Sequence, residues 1–165
     1  MKLVREVVAA VAWSGAPLIA AAALFWGGAA VGLLVFGAGW LVGLAAWVSV
    51  ALIGCVLGSF LIHELRHALA LACLPTIHHI GVERRWWRIS LRPHGELTPA
   101  GAGFAALAGP GASVLVGLVL MAVGAPAAAG WVLVSHAVFW LPVFGDGRAL
   151  LLTWRERDAA SRRAT

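Results

Sequence analysis

The chain has 165 residues, 62% hydrophobic and 12% charged, with a formal net charge of +5 and a mean hydropathy of +0.93. A soluble domain carries about 25% charged residues and needs polar groups to cover its surface, so this composition excludes a soluble globule and a disordered chain; Cys55 and Cys73, the only cysteines, exclude a secreted disulfide scaffold. The composition predicts an all-α polytopic membrane protein, a single membrane-embedded domain over residues 1–165, with no internal repeat and no soluble second domain.

The basic residues fall between apolar stretches. Lys2 and Arg5 stand at the start, Arg84, Arg85, Arg88 and Arg92 in the middle, and Arg155, Arg157, Arg162 and Arg163 at the end. This is the positive-inside bias of membrane proteins, and no nucleic-acid partner is expected. From Val7 to Leu74 the chain is almost unbroken apolar until residues 63–67, too long a run for the core of a cleavable signal. At about 20 residues per crossing it makes two long spans, 7–36 and 45–74, or three short ones. Gly27-Gly28 and Gly37-Ala38-Gly39 are the candidate turns. Two spans put all the basic clusters on the cytoplasmic face, so four transmembrane helices are preferred, with five as the alternative.

Residues 76–98 are the polar connection. Ile80 and Val82, then Trp87, Ile89 and Leu91, alternate with polar neighbours, a period of two that predicts a small membrane-surface β-hairpin turning near Glu83–Arg85. Trp86 and Trp87 suit an interfacial position. Thr98-Pro99 reads as a capped helix start. The next span, 100–124, carries Gly109-Pro110-Gly111 in its middle, where proline removes a backbone donor; such a break is tolerated only inside protein or beside a wet cavity. Gly124-Ala125-Pro126 turns the chain into a last span, 127–153, and a basic tail.

His63, Glu64, His67, His136 and Asp146 interrupt these apolar spans, and ionisable groups at membrane depth are functional candidates by default. His63-Glu64-Leu65-Arg66-His67 is an HExxH motif. On a helix the two imidazoles share one face and can bind one metal ion, with Glu64 placed as general base toward the water that the metal activates. Zinc needs a third protein ligand and an open position. Asp146, between Gly145 and Gly147, is the candidate, and pairing with Arg148 or Arg66 is its bland alternative. Counting about 1.5 Å per residue from Pro75 and from Trp154 puts His67 and Asp146 at one depth. His136 reads equally as a satisfied core histidine or as a group shaping the site. Arg66 faces away from the metal, His78, His79 and His94 are solvated, and Cys55 and Cys73 are small packing residues.

These residues resemble the site-2 protease family of intramembrane zinc metalloproteases (the M50 peptidases) over roughly residues 50–153. His-Glu-Leu-Arg-His followed by Ala68-Leu69-Ala70 looks like the family's first motif, and Leu141 to Arg148 like the later Asp-Gly motif that supplies its third zinc ligand. Ala108-Gly109-Pro110-Gly111-Ala112-Ser113 is similar to its Gly-Pro-x-x-Asn/Ser element. The resemblance implies that Gly109, Pro110 and Ser113 shape the active site and that the hairpin presents an extended substrate. Departures are Arg66 at a position where the family has a small residue, a proline-to-Asp spacing one residue shorter, and Phe139 in place of an Asn. His136 stands one helical turn from Phe139 and can stand in for that Asn.

The expectation is an intramembrane endopeptidase with one Zn²⁺ held by His63, His67 and Asp146. Glu64 is the general base, and the substrate is a membrane protein in the lipid bilayer of a bacterial plasma membrane, cleaved toward the cytoplasmic side. The alternatives are a catalytically inactive zinc-binding scaffold and a small metal transporter.

Overall fold

The computed structural model describes residues 1–85 and 88–164. It is mostly helical, with one small two-stranded sheet.

The chain opens on a 13-residue helix, α1 (Lys2–Ser14), with Val7, Ala10 and Val11 buried on one face. A break at Gly15 separates it from α2 (Ala16–Phe36), which has proline in its first turn. The expected single span over 7–36 is therefore two elements. Two contacts explain the break: the Leu57 side chain fills the space a Cβ on Gly15 would need, and the apolar stripe of α1 packs on protein. Val7 and Val11 meet Ala68, Leu57, Leu61 and Leu65 on one side, and Val82, Ile89 and Leu91 of the hairpin on the other.

Gly27 and Gly28 lie within α2, without a break. The turn comes at Gly37, which takes a left-handed φ of 63°, a conformation glycine adopts without steric cost. The next helix runs unbroken for 33 residues, Trp40–Ala72. It comprises α3 (Trp40–Ser49), a π-helical stretch Val50–Leu57, and α4 (Gly58–Ala72). The Trp26 indole N–H donates to Ser49 Oγ at 3.0 Å, tying α2 to α3.

β1 (Ile77–Arg85) and β2 (Arg88–Gly95) form the antiparallel hairpin, pairing Val82 with Leu91, Arg84 with Ile89 and Arg85 with Arg88. The strands thus continue through 83–85, where a turn was expected. The alternation ends at Val82, but Glu83, Arg84 and Arg85 include no glycine or proline to stop the ladder. Trp86 and Trp87, and the interfacial role expected of them, lie outside the described residues. The hairpin's apolar face closes on α1 and on Ala70, Leu71 and Ala105.

Thr98 caps α5 (Pro99–Ala122) as expected: its Oγ1 accepts the Gly101 N–H at 3.1 Å. The helix runs through Pro110 without ending, and Pro110 is fully buried. α5 packs at the centre, against α4, α6 and α7. Glycines permit its close approaches: a Cβ on Gly117 would meet the Gly130 carbonyl of α6 at 2.7 Å.

The expected last span is bent. α6 (Ala127–Val134) tightens into a 3₁₀ turn, Ser135–Trp140, and after a break α7 (Gly145–Ala164) leaves at 44°. α7 stays helical through the stretch read as a basic tail. Three helices are long and apolar enough to cross a bilayer, Ala16–Phe36, Trp40–Ala72 and Pro99–Ala122, and four if the bent pair is one span.

Candidate metal centre

His63 and His67 lie one helical turn apart on α4, both buried. Asp146 stands in the first turn of α7, where the helix dipole favours a negative charge. The three bring single atoms together. His63 Nε2 and His67 Nε2 are 3.1 Å apart, and Asp146 Oδ2 is 3.3 Å from each. Tetrahedral zinc, with ligand bonds of about 2.0–2.1 Å, holds its ligands roughly 3.3–3.4 Å apart. The triangle is within a few tenths of an ångström of that edge on every side.

The hydrogen-bonding chemistry agrees. His67 Nδ1–H donates to the Ala105 carbonyl at 2.7 Å. A carbonyl only accepts, so the proton sits on Nδ1, and Nε2 turns a bare lone pair toward the other two ligand atoms. A proton between two atoms of the triangle satisfies one contact only, whereas a single cation satisfies all three. The donor set, two imidazoles and a carboxylate, suits zinc.

Other elements hold this geometry. A Cβ on Gly109 would collide with the His67 ring, so the bare glycine makes the room in which that imidazole sits. Pro110, one residue on, has no N–H to close onto the Ala106 carbonyl. Ser113 is wholly buried, and its hydroxyl reaches the backbone carbonyls of Gly109 at 3.4 Å and Ser59 at 3.5 Å, linking α5 to α4. Gly147 lets α7 abut the preceding break, since a Cβ there would strike the backbone of Trp140 and Leu141. Gly145 and Gly147 flank Asp146. Neither adopts a positive φ, and Gly147 serves by close approach.

Asp146 is paired with the two histidines. The arginines proposed as its alternative partners lie elsewhere: Arg148 Nε donates to the Pro142 carbonyl at 3.2 Å, and Arg66 is exposed. His78, His79 and His94 are exposed as expected, though on strands. Cys73 is exposed and does not pack as expected, whereas Cys55 is half-buried.

Beside the triangle opens a cavity of about 780 Å³. His63, Glu64, His67 and Asp146 line it, facing β2 residues Ile89, Ser90, Leu91 and Pro93. Gly109, Pro110, Ser113 and His136, expected to shape the site, do not line it. His136 is buried. Its Nδ1–H donates to the Val132 carbonyl at 3.2 Å, and its ring stands 5.5 Å from that of His63.

Sequence reasoning missed the Ala105 carbonyl and the aromatic wall. Phe139 lies 5.0 Å from His63 and 5.1 Å from Phe144, and Phe60 lies 5.2 Å from His136. Phe60 was findable, because it precedes His63 by three residues on the same helix face. The carbonyl was not, because every residue has one. Comparison with protein-family models, with curated proteins and with solved structures finds no match to this chain.

Proposed function

We propose that this chain is a polytopic intramembrane zinc endopeptidase of the site-2 protease type, hydrolysing a peptide bond in or near a transmembrane segment. The observation that carries the reading is the triangle of His63, His67 and Asp146 ligand atoms with Glu64 on the wall of the same cavity. A zinc ion held there polarises a scissile carbonyl and lowers the pKa of water. Glu64 takes a proton from the water that adds to the carbonyl carbon. It then returns that proton to the amine nitrogen as the C–N bond breaks. A transmembrane helix hides its peptide bonds, so the substrate has to unwind. β2 borders the cavity, and in a two-stranded sheet its second edge has no strand partner among the described residues. An unwound segment can add there as a further strand.

The membrane setting rests on surface chemistry. Leu24, Leu34 and Phe36 of α2 and Leu115, Leu118 and Val119 of α5 are exposed, an outer face suited to lipid. We infer four crossings, with α6 and α7 as one bent span and α1 on the cytoplasmic side beside the hairpin. The preference for Arg over Lys and the Ala-rich composition fit a GC-rich bacterial genome, and with it a bacterial plasma membrane.

Purified wild type, Glu64→Gln and Asp146→Ala, compared for bound zinc and for cleavage of a synthetic transmembrane peptide, test the reading. Glu64→Gln keeps its zinc and loses about 100-fold or more in rate. Asp146→Ala loses zinc. Full zinc in Asp146→Ala removes the third ligand from the proposal. One observation favours a second reading, a zinc-binding scaffold without turnover: the Phe139 ring lines the cavity 5.0 Å from His63. Zinc-loaded wild type that cleaves none of a broad panel of transmembrane peptides supports the scaffold.

A further inference from the structure

Two buried ring nitrogens near the metal centre have no hydrogen-bond partner among the described residues: His63 Nδ1 and His136 Nε2. Each belongs to an imidazole only 4% exposed. A buried polar atom without a partner loses its water and gains nothing in return, so one such atom calls for an explanation. Two such atoms of opposite character, on rings whose centroids are 5.5 Å apart, supply one.

The proton assignments follow from their neighbours. His63 gives Nε2 to the ligand triangle, so its remaining proton lies on Nδ1, which must donate. His136 already donates from Nδ1 to the Val132 carbonyl. Its Nε2 therefore carries a bare lone pair and must accept. An N–H···N bond of about 2.9 Å between two imidazoles sets the ring centroids roughly 5.2 Å apart, so the observed separation of 5.5 Å has room for one once the two nitrogens turn toward each other. As the rings stand the two nitrogens are not hydrogen-bonded, so pairing them takes a rotation of the rings; the Val132 bond that holds His136, at 3.2 Å, is at the long end of the usual range. Phe60 and Phe139, with ring centroids 5.2 and 5.4 Å from that of His136, wall the contact with apolar surface.

We infer that His136 is a positioning residue of the metal centre: its Nε2 accepts the Nδ1–H of His63, fixing the tautomer and orientation in which His63 Nε2 faces the ion. This rests on the reading of His63, His67 and Asp146 as a zinc site. His67 has its orienting acceptor in the Ala105 carbonyl, and His136 completes the pair for His63. Metal-binding histidines are held in this way by acceptors on their second nitrogen, and losing one typically weakens metal affinity about 10- to 100-fold.

The test compares wild type, His136→Phe, His136→Asn and His63→Ala in detergent. Zinc affinity is measured by competition with a chelating dye, and folding by far-UV circular dichroism. His136→Phe fills the space without an acceptor and is expected to bind zinc 10- to 100-fold more weakly. His136→Asn restores an acceptor oxygen and recovers most of that loss. Unchanged affinity in folded His136→Phe, or no recovery in folded His136→Asn, overturns the inference. Nitrogen-15 histidine NMR of zinc-loaded wild type gives a second reading that needs no variant to fold. A scalar coupling between His63 Nδ1 and His136 Nε2 is expected, and its absence overturns the inference. Wild type that binds no zinc, or zinc retained in His63→Ala, is instead failure of the metal site itself.

Discussion

Gly109 shows how a residue without chemistry of its own controls the place of a proposed metal ligand, His67. In an ordinary helix, replacing glycine by alanine stabilises by about 0.5–1 kcal/mol. At this position the added Cβ collides with the His67 imidazole, so the sign reverses. Gly109→Ala is expected to lower zinc affinity by at least about tenfold, because the ring must leave the triangle or give up the Ala105 carbonyl. Gly111→Ala is the control, since its Cβ would meet only Trp140, at an ordinary 3.6 Å, and zinc affinity should stay at the wild-type level. Metal competition on the two variants decides it, and equal affinities would remove Gly109 from the account. That His63 and His67 share a face was legible in the sequence: a four-residue spacing fixes a shared helix face whatever the tertiary structure. The residues that hold them were legible only in part. The partner of His67 is a backbone atom, and the need for a bare glycine at 109 depends on where another helix places a ring.

At the scale of elements, the break between α6 and α7 brings Asp146 to the histidines. Gly147 sits against the carbonyls of Trp140 and Leu141, and backbone cannot swing aside as a side chain can. A Cβ on Gly145 meets nothing within 4 Å. Gly147→Ala is therefore expected to cost about 1–3 kcal/mol, read as a thermal midpoint several degrees lower by tryptophan fluorescence and as partial loss of zinc. Gly145→Ala should change neither. Equal behaviour of the two variants would mean that the break tolerates movement and that Asp146 is positioned by other contacts. Hydropathy did not reveal this break or the one at Gly15. Apolar runs look alike whether they face lipid or protein: α1 spends its valines on α4 and the hairpin, and the Leu141–Phe144 turn is itself apolar. The hairpin was legible because a period of two cannot be helical, and the start of α5 because Thr98-Pro99 has a local cap chemistry.

The molecule as a whole distributes its charge along one axis. The turn at 37–39 and the turn at 123–126 contain no charged residue, whereas Lys2, Arg5, the hairpin arginines and Arg155, Arg157, Arg162 and Arg163 of α7 gather at the other ends of the helices. Under the positive-inside rule the arrangement with four crossings puts all of them on the cytoplasmic face, together with the mouth of the cavity beside β2. An arrangement with five crossings needs a third span before residue 75. Among the described residues only Ala16–Phe36 and Trp40–Ala72 are long and apolar enough there, and α1, with 13 residues, spans about 20 Å against a hydrocarbon core of about 30 Å. The consequence is measurable with single cysteines in a background carrying Cys55→Ala and Cys73→Ala. Lys2→Cys, Glu96→Cys and Glu156→Cys should react with a membrane-impermeant maleimide only in inside-out vesicles. Ala38→Cys and Ala125→Cys should react only in right-side-out ones. Lys2→Cys labelled together with Ala38→Cys would put α1 across the bilayer and require an odd number of spans. Glu156→Cys labelled with Ala125→Cys would make α6 and α7 a re-entrant loop, leaving Asp146 to reach His63 and His67 from the far side of the membrane.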